Sequence, residues 1–286
     1  MTDMKENALA PQWATTSGDM WSRRWRDTDR GLAGLSPHLL SAITDNVLAG
    51  PFRAFEVGCG AGSTSITLAQ SRPDAEITAC DISPTLVEVA RQRTERIPQI
   101  HVIEGDAELV AKDEGPFDLI FSRHGVMFFP DPVRAFRSLR RGANRGASLV
   151  FSCFQSWHSN SWASDVACAA ADRELPAPGR EPSGFAFADP DYVRQTLSAS
   201  GWDEAEVQTV LFDYLAGEGD DAVETALSFL TDIGPAARIV QSLPEVERAA
   251  ALERMRGIIE HHFDGRAVVF SAAAWIWRAK AGSAAS

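Results

Sequence analysis

An α/β fold built on a parallel sheet is predicted by three features of this sequence. From residue 54 to 154, short β-branched or apolar runs alternate with amphipathic segments, the pattern of strand-helix units feeding a parallel sheet. The first run ends in a glycine-rich turn, Gly58-Cys59-Gly60-Ala61-Gly62, and Ser63 opens a helix directly after it. Glycine lets a backbone turn tightly and approach a ligand, and the amides of the following helix then face that ligand. Third, carboxylates stand at the ends of the first two runs, Glu56 and Asp81, which suits a ligand with a ribose and a cationic centre.

Five strands are expected in this region, at 54–57, 76–80, 100–104, 117–122 and 147–154. Helices between them carry start signals. Ser83 before Pro84 and Asp131 before Pro132 each place a capping side chain ahead of a proline at the first helical position. Val133, Phe136 and Leu139 recur at helical spacing and should face the sheet, with Gly142, Asn144 and Gly146 closing that helix. Beyond Phe154 come a tryptophan-containing segment, an alanine-rich helix around 165–174, and a loop holding Pro176, Pro178, Pro182 and Pro190. A helix at 189–200 ends at Gly201. Two further strands, 206–215 and 267–279, are separated by a helical stretch.

At 286 residues the chain is expected to form one domain with elaborations. Hydrophobic residues at 45% and charged residues at 23% exclude extensive disorder. No apolar run approaches the ~20 residues that cross a bilayer. The segment from Met1 to Asn7 carries both charge signs and leads into no apolar stretch, so a cytoplasmic location with no membrane partner is expected. A net charge of −12 counts against a nucleic-acid partner. Two arginine clusters, at 23, 24 and 26 and at 137, 140, 141 and 145, read as solvated helix edges. Cys59, Cys80, Cys153 and Cys168 are scattered with no C-x-x-C pair, and no compact His/Asp/Glu ligand cluster is visible, so neither a disulfide framework nor a metal is expected.

The acid before the first glycine, Asp81 25 residues beyond it, the triplet Gly105-Asp106-Ala107 and the run Phe117-Asp118-Leu119-Ile120-Phe121-Ser122 stand together. In this combination the chain resembles class I S-adenosylmethionine-dependent methyltransferases, from about residue 50 to its C-terminal strand. Ser122-Arg123-His124-Gly125-Val126-Met127-Phe128-Phe129 followed by Asp131-Pro132 is similar to the broad group of bacterial small-molecule methyltransferases that includes quinone-ring and natural-product enzymes. The resemblance implies a Rossmann-like doubly wound sheet of seven strands, the last antiparallel, with helical lid elements. The core is then about 51–154, 191–216 and 265–280. Residues 1–50, 155–190 and 217–264 are left as candidate lid segments, since insertions at the carboxyl ends of the strands cover the ligand; packing on the outer helices is the alternative.

Roles for the cofactor residues follow from the same resemblance. Glu56 would meet the ammonium end of S-adenosylmethionine, Gly58, Gly60 and Gly62 would pass beneath the amino acid and ribose, and Asp81 would accept both ribose hydroxyls. Ile82 would pack on the adenine, Asp106 would take the adenine amino hydrogen, and Ala107 would serve a ring nitrogen through its backbone. Ser122 would hold the ammonium with its carbonyl. A dinucleotide fold also carries glycines and an acid after its second strand. Here the third glycine comes two residues after the second, Ser63 stands where that fingerprint wants its last small residue, and Glu56 has no part in hydride transfer.

On the acceptor side a base is optional. A phenol with a pKa of ~10 needs help at neutral pH, whereas an amine only needs to be unprotonated. His124, at the mouth of the fourth strand, is the candidate catalytic base; a structural hydrogen bond to a loop carbonyl is its other reading. Met127, Trp157, His158 and Phe185 are candidates for the substrate pocket, and Phe128, Phe129 and Phe187 serve either that pocket or the core. His261 and His262 should end a helix. Trp21 and Trp25 have i, i+4 spacing in a segment that would close over the cofactor. The function expected is methyl transfer to a small, apolar or aromatic molecule through oxygen, nitrogen or carbon. A nucleic-acid methyltransferase, a non-catalytic or atypical S-adenosylmethionine-binding protein, and a nicotinamide oxidoreductase are the alternatives, and nothing indicates a homo-oligomer.

Overall fold

The computed structural model describes residues 13–47 and 49–282; the segment from Met1 to Asn7 and the rest of the first twelve residues of the candidate lid lie outside them. Among the described residues one seven-stranded sheet forms the centre. Its strands are β1 (Phe52–Val57), β2 (Ala75–Asp81), β3 (Ile100–Glu104), β4 (Phe117–Arg123), β5 (Ala143–Phe154), β6 (Trp202–Glu218) and β7 (Ala267–Ala281). The order is β3-β2-β1-β4-β5-β7-β6. The first five strands are parallel, and β7 runs antiparallel to both of its neighbours, β5 and β6. This is the Rossmann-like doubly wound sheet with the last strand reversed.

Burial follows position in the sheet. The inner strands β1 and β4 are buried almost continuously, whereas the edge strands β3 and β6 alternate between buried and exposed residues. Inner parallel strands are covered on both faces by helices and so read as unbroken apolar runs. Aromatic rings fill the interior: Phe55 stacks on Phe117 at 5.0 Å between centroids, and Phe151 lies against Trp277 at 6.4 Å. The indole N–H of Trp202, at the start of β6, donates to the Phe136 carbonyl at 2.9 Å.

The helices are α1 (Thr16–Arg23), α2 (Trp25–Gly31), α3 (Ser36–Thr44), α4 (Ser63–Ser71), α5 (Pro84–Thr94), α6 (Ala107–Glu114) and α7 (Pro132–Arg141). After β5 come α8 (Ser161–Ala171), α9 (Pro190–Ala199), α10 (Ala222–Asp232), α11 (Pro235–Ser242) and α12 (Glu245–His261). The side chains of Ser83, Asp131 and Asp189 each accept from a first-turn amide, and proline follows each of them.

Several boundaries differ from the expected ones. β5 starts at Ala143 because the Asn144 amide donates to Asp118 at 2.7 Å and holds that residue in the sheet, so Gly142 alone caps α7. β6 runs past both expected ends, through irregular pairing at Asp203/Glu206 and Leu215/Gly217. The alanine-rich helix begins at Ser161 and stops at Asp172, whose φ of 54° takes the chain out of helical geometry. Trp21 and Trp25 sit on consecutive helices, since the chain breaks at Arg24.

Residues 13–31 span the top of the sheet. α1 packs on α5 in the first half, and α2 on β6 in the second. The Arg24 guanidinium pairs with Asp232 at 2.6 Å, and Arg30 donates to the Ala216 carbonyl at 2.6 Å. Arg26 lies over the Trp25 ring at 4.3 Å. The first arginine cluster therefore spends Arg24 on the protein itself. Among the described residues no helix is long and apolar enough to cross a membrane.

Candidate functional site

The carboxyl ends of β1, β2, β4 and β5 open into one cavity of about 810 Å³, within the size range of small-molecule sites. Its walls are the glycine turn after β1, the segments after β2 and β3, the turn after β4, helices α1 and α2, the loop before α9, and the segment from the end of α10 into α11.

Gly58, Gly60 and Gly62 have φ of 63°, 54° and 80°, left-handed values that cost a side-chain-bearing residue ~1 kcal/mol or more. Gly58 and Gly60 line the cavity, while Gly62 turns away and caps α4. Asp81 fixes this turn. One of its oxygens accepts from the Gly60 amide at 2.8 Å and the other from the Ser83 amide at 2.9 Å. Beside it, Glu56 accepts from both the amide and the hydroxyl of Ser65 at the start of α4. Burial pushes the Glu56 carboxyl up to about 7, against the opposing pull of Ser65 and the Arg123 charge. Burial also raises Asp81, against its three backbone hydrogen bonds. Two carboxylates are thus held among apolar neighbours in one cavity wall, where each would gain from a cation or donor. Ile82, Asp106 and Ala107 complete this side; Asp106 also caps α6 through the Glu108 amide at 2.8 Å.

The Ser122 hydroxyl donates to the Val57 carbonyl at 2.7 Å and accepts from the Gly125 amide at 3.1 Å, tying β4 to β1, contacts of the side chain alone that do not engage the carbonyl expected to hold the ammonium. Arg123 reaches the wall.

Sequence reasoning missed the clamp around Arg123. Asp29 on α2 pairs with Arg123 at 2.6 Å and with Arg93 on α5 at 3.1 Å. Arg93 also donates to the Ala61 carbonyl in the glycine turn at 2.7 Å and lies over the Trp25 ring at 4.0 Å. These residues come from three distant segments and no local spacing announces them. The fit of α1 is as close: a Cβ on Gly18 would come within 2.8 Å of Ser83 Cβ. Gly18→Ala is therefore expected to displace α1 and lower stability by about 1–3 kcal/mol, as overpacking does, with cofactor affinity falling several-fold; thermal melting and calorimetry measure the two.

Of the residues expected on the acceptor side, His124 lies in the wall and is 8% exposed. Its φ of 59° is left-handed, a strained conformation of the kind that gathers at functional sites. Nδ1 meets the Ser152 hydroxyl at 2.9 Å, so the partner is a side chain rather than the loop carbonyl considered above. Burial, aided by Arg123, takes the imidazole down to about 3. Met127 and Phe185 line the cavity, together with Phe128 and Phe129. Phe187 is core, against Phe136 and Phe151.

Trp157 and His158 do not line it. A 3₁₀ turn after β5 carries His158 to the surface and puts Trp157 behind the wall, edge-on to Phe185 at 5.3 Å. His261 ends α12 and His262 caps it. Phe154, Trp162, Phe185 and Tyr214 form an aromatic end of the cavity, with Trp162 stacked on Tyr214 at 4.6 Å. Arg238 and Gln241 of α11 stand at its rim.

Residues 55–151 match the family described as "Methyltransferase domain". Over these residues the chain carries a methyltransferase domain. That match covers the glycine turn, both buried carboxylates and His124. Over 103 residues the chain is 33% identical to malonyl-[acyl-carrier protein] O-methyltransferase 1 of Ilyobacter polytropus, covering 36% of this chain and 38% of that one. Over 136 residues it is 31% identical to the ubiquinone biosynthesis O-methyltransferase of Xanthomonas campestris pv. campestris, covering 46% and 56%. The likeness thus spans from about a third to just over half of those relatives' length. The methyltransferase fold extends further. Phosphoethanolamine N-methyltransferase 2 of Haemonchus contortus, solved with S-adenosyl-L-methionine, superposes with a TM-score of 0.55 at 13% identity, covering 96% of this chain and 60% of that one. The YcgJ protein of Bacillus subtilis gives 0.56 at 14%, covering 86% and 99%. At such identities these structures speak for the fold of the methyltransferase domain alone.

Proposed function

We propose that this protein transfers a methyl group from S-adenosylmethionine to a small, apolar or aromatic acceptor. The observation that carries the reading is the pair of buried carboxylates, Glu56 and Asp81, flanking a left-handed glycine turn in one cavity. In this reading Glu56 takes the ammonium of the cofactor and Asp81 the ribose diol, while Gly58 and Gly60 let the backbone pass close beneath. Ile82, Asp106 and Ala107 face the adenine. Ser122 offers its carbonyl to the ammonium, while its hydroxyl ties β4 to β1.

The cofactor supplies a methyl on a sulfonium: the carbon–sulfur bond breaks as the bond to the acceptor forms, and sulfur leaves as a neutral thioether. A positive charge is lost in this step, so a dry site favours it, and alignment alone is worth effective molarities of about 10⁵ M or more. Helices α1 and α2, the loop at 178–185 and the segment 232–241 line the cavity and supply that cover. The chain is read as one methyltransferase domain, with core and cover segments as given above. The relatives named for O-methylation and the net charge of −12 support a small-molecule acceptor over a nucleic acid. The cytoplasm is part of the same reading.

Calorimetric titration with S-adenosylmethionine, S-adenosylhomocysteine and the nicotinamide dinucleotides tests the proposal. Micromolar binding of either adenosyl compound, with none of the dinucleotides, is expected. A folded protein that binds neither adenosyl compound would overturn it.

A further inference from the structure

Two buried nitrogens at the aromatic end of the cavity have no hydrogen-bond partner among the described residues, His124 Nε2 and Trp162 Nε1. Both side chains line the cavity, at 8% and 5% exposure. Both lean on the Phe154 ring, at 4.2 and 5.1 Å between centroids. The other partnerless buried nitrogens, on Trp157, Trp277 and Arg278, belong to residues outside the cavity wall. A buried polar group without a partner calls for an explanation, and in the wall of a binding cavity a ligand is the direct one.

What that ligand must offer depends on which imidazole nitrogen carries the proton. Ser152 is fully buried, and its hydroxyl meets His124 Nδ1 and no other group. Each tautomer leaves one buried donor unmet among the described residues, the Ser152 hydroxyl when Nδ1 carries the proton and the ring N–H when Nε2 carries it. A ligand oxygen at Nε2 completes only the second arrangement, with the hydroxyl donating to Nδ1. Trp162 Nε1 is a donor by constitution. At the rim Arg238 makes no ion pair or hydrogen bond among the described residues. Two carboxylates of the cavity wall pair with other arginines, Asp232 with Arg24 and Asp29 with Arg93 and Arg123.

We propose that His124 and Trp162 form a paired N–H donor site for an oxygen of the methyl acceptor, with Arg238 drawing its negative charge, so that the acceptor is an aromatic oxyanion rather than an amine. This rests on the methyl-transfer reading and narrows its substrate class. Both nitrogens are covered in this structure; both rings contact Phe154, and the proposal requires that ring to turn aside. His124 is then a binding donor and not a base: Nε2 has no free lone pair, and burial keeps the ring neutral at physiological pH. An acceptor that enters as its anion needs no base.

The test combines a spectrum with a titration. Nitrogen-15 NMR of the imidazole should show the proton on Nε2, unchanged from about pH 6 to pH 8. Near pH 8, 4-nitrophenol is mostly its anion and benzylamine its cation. The phenolate is expected to bind at least about tenfold more tightly than benzylamine, and Trp162→Phe and Arg238→Gln each to weaken it up to about tenfold, with S-adenosylhomocysteine binding unchanged. Arg238 is exposed, so its variant does not threaten folding. A proton on Nδ1, benzylamine binding as tightly as the phenolate, or two variants indistinguishable from wild type would each overturn the inference. Loss of S-adenosylhomocysteine binding with these results intact would instead overturn the proposed function.

Discussion

Asp81→Ala is expected to weaken S-adenosylmethionine binding by about a hundredfold or more. The carboxylate accepts from the amides of Gly60 and Ser83, so alanine leaves two N–H groups without their partner and frees the turn that carries the glycines. In the proposed complex it also removes the acceptor of the ribose diol. A hydrogen bond to a charged group is worth about 1.5–3 kcal/mol, and an orphaned buried donor costs about 1–3 kcal/mol, so two or three such losses give the stated factor. Asp81→Asn keeps one oxygen and should lie between. Calorimetry well below the melting temperature measures this; wild-type affinity in the alanine variant would remove Asp81 from the site.

Glu56→Gln is expected to do two opposite things. Burial raises this carboxyl from 4.5 to about 7, so between those values the folded protein holds a proton that the unfolded chain has released. Folded stability from this group then falls as pH rises from about 4.5 to about 7, and stays low above. Glutamine keeps an oxygen for Ser65 and never ionises. At pH 8 the variant should therefore be more stable than wild type by about 1–3 kcal/mol, seen as a higher melting temperature. The same change removes the charge proposed to meet the cofactor's ammonium. Affinity should drop about tenfold or more at pH 8, and the rise in wild-type affinity between about pH 6 and pH 8 should vanish. A variant less stable than wild type at pH 8 would show that Glu56 is already satisfied without a ligand.

That Glu56, Asp81 and the glycine turn share one cavity wall was legible because these residues lie close in sequence to strand ends. A glycine turn after a short apolar run, an acid before it and an acid at the next strand end are local signals, and parallel pairing brings Glu56 and Asp81 to one edge. Ser122 shows where that logic stops. Its hydroxyl bonds to Val57 and Gly125, and no local spacing announces those contacts. Trp157 and His158 were expected at the mouth of β5, and a single 3₁₀ turn moved them behind and outside the wall. Two residues of the aromatic end, Trp162 and Tyr214, come from a helix and an edge strand 52 positions apart. Asp29, Arg93 and Arg123 likewise meet only through the tertiary fold. Element boundaries slipped for similar reasons: Asn144 reads as a helix terminator until Asp118 is seen to hold it.

β7 lies between two strands made before it, β5 and β6. During synthesis the ribosome therefore delivers β6 with no place to dock, and the growing chain carries an open β5 edge until residue 281 has emerged. Unpaired edges invite pairing with other chains. The two apolar faces of β7, with Phe270 and Ile276 on one and Trp277 on the other, all fully buried, close that interval in one step as the strand zips against both neighbours. Premature termination anywhere in β7 should thus yield an aggregating nascent chain rather than a smaller folded enzyme.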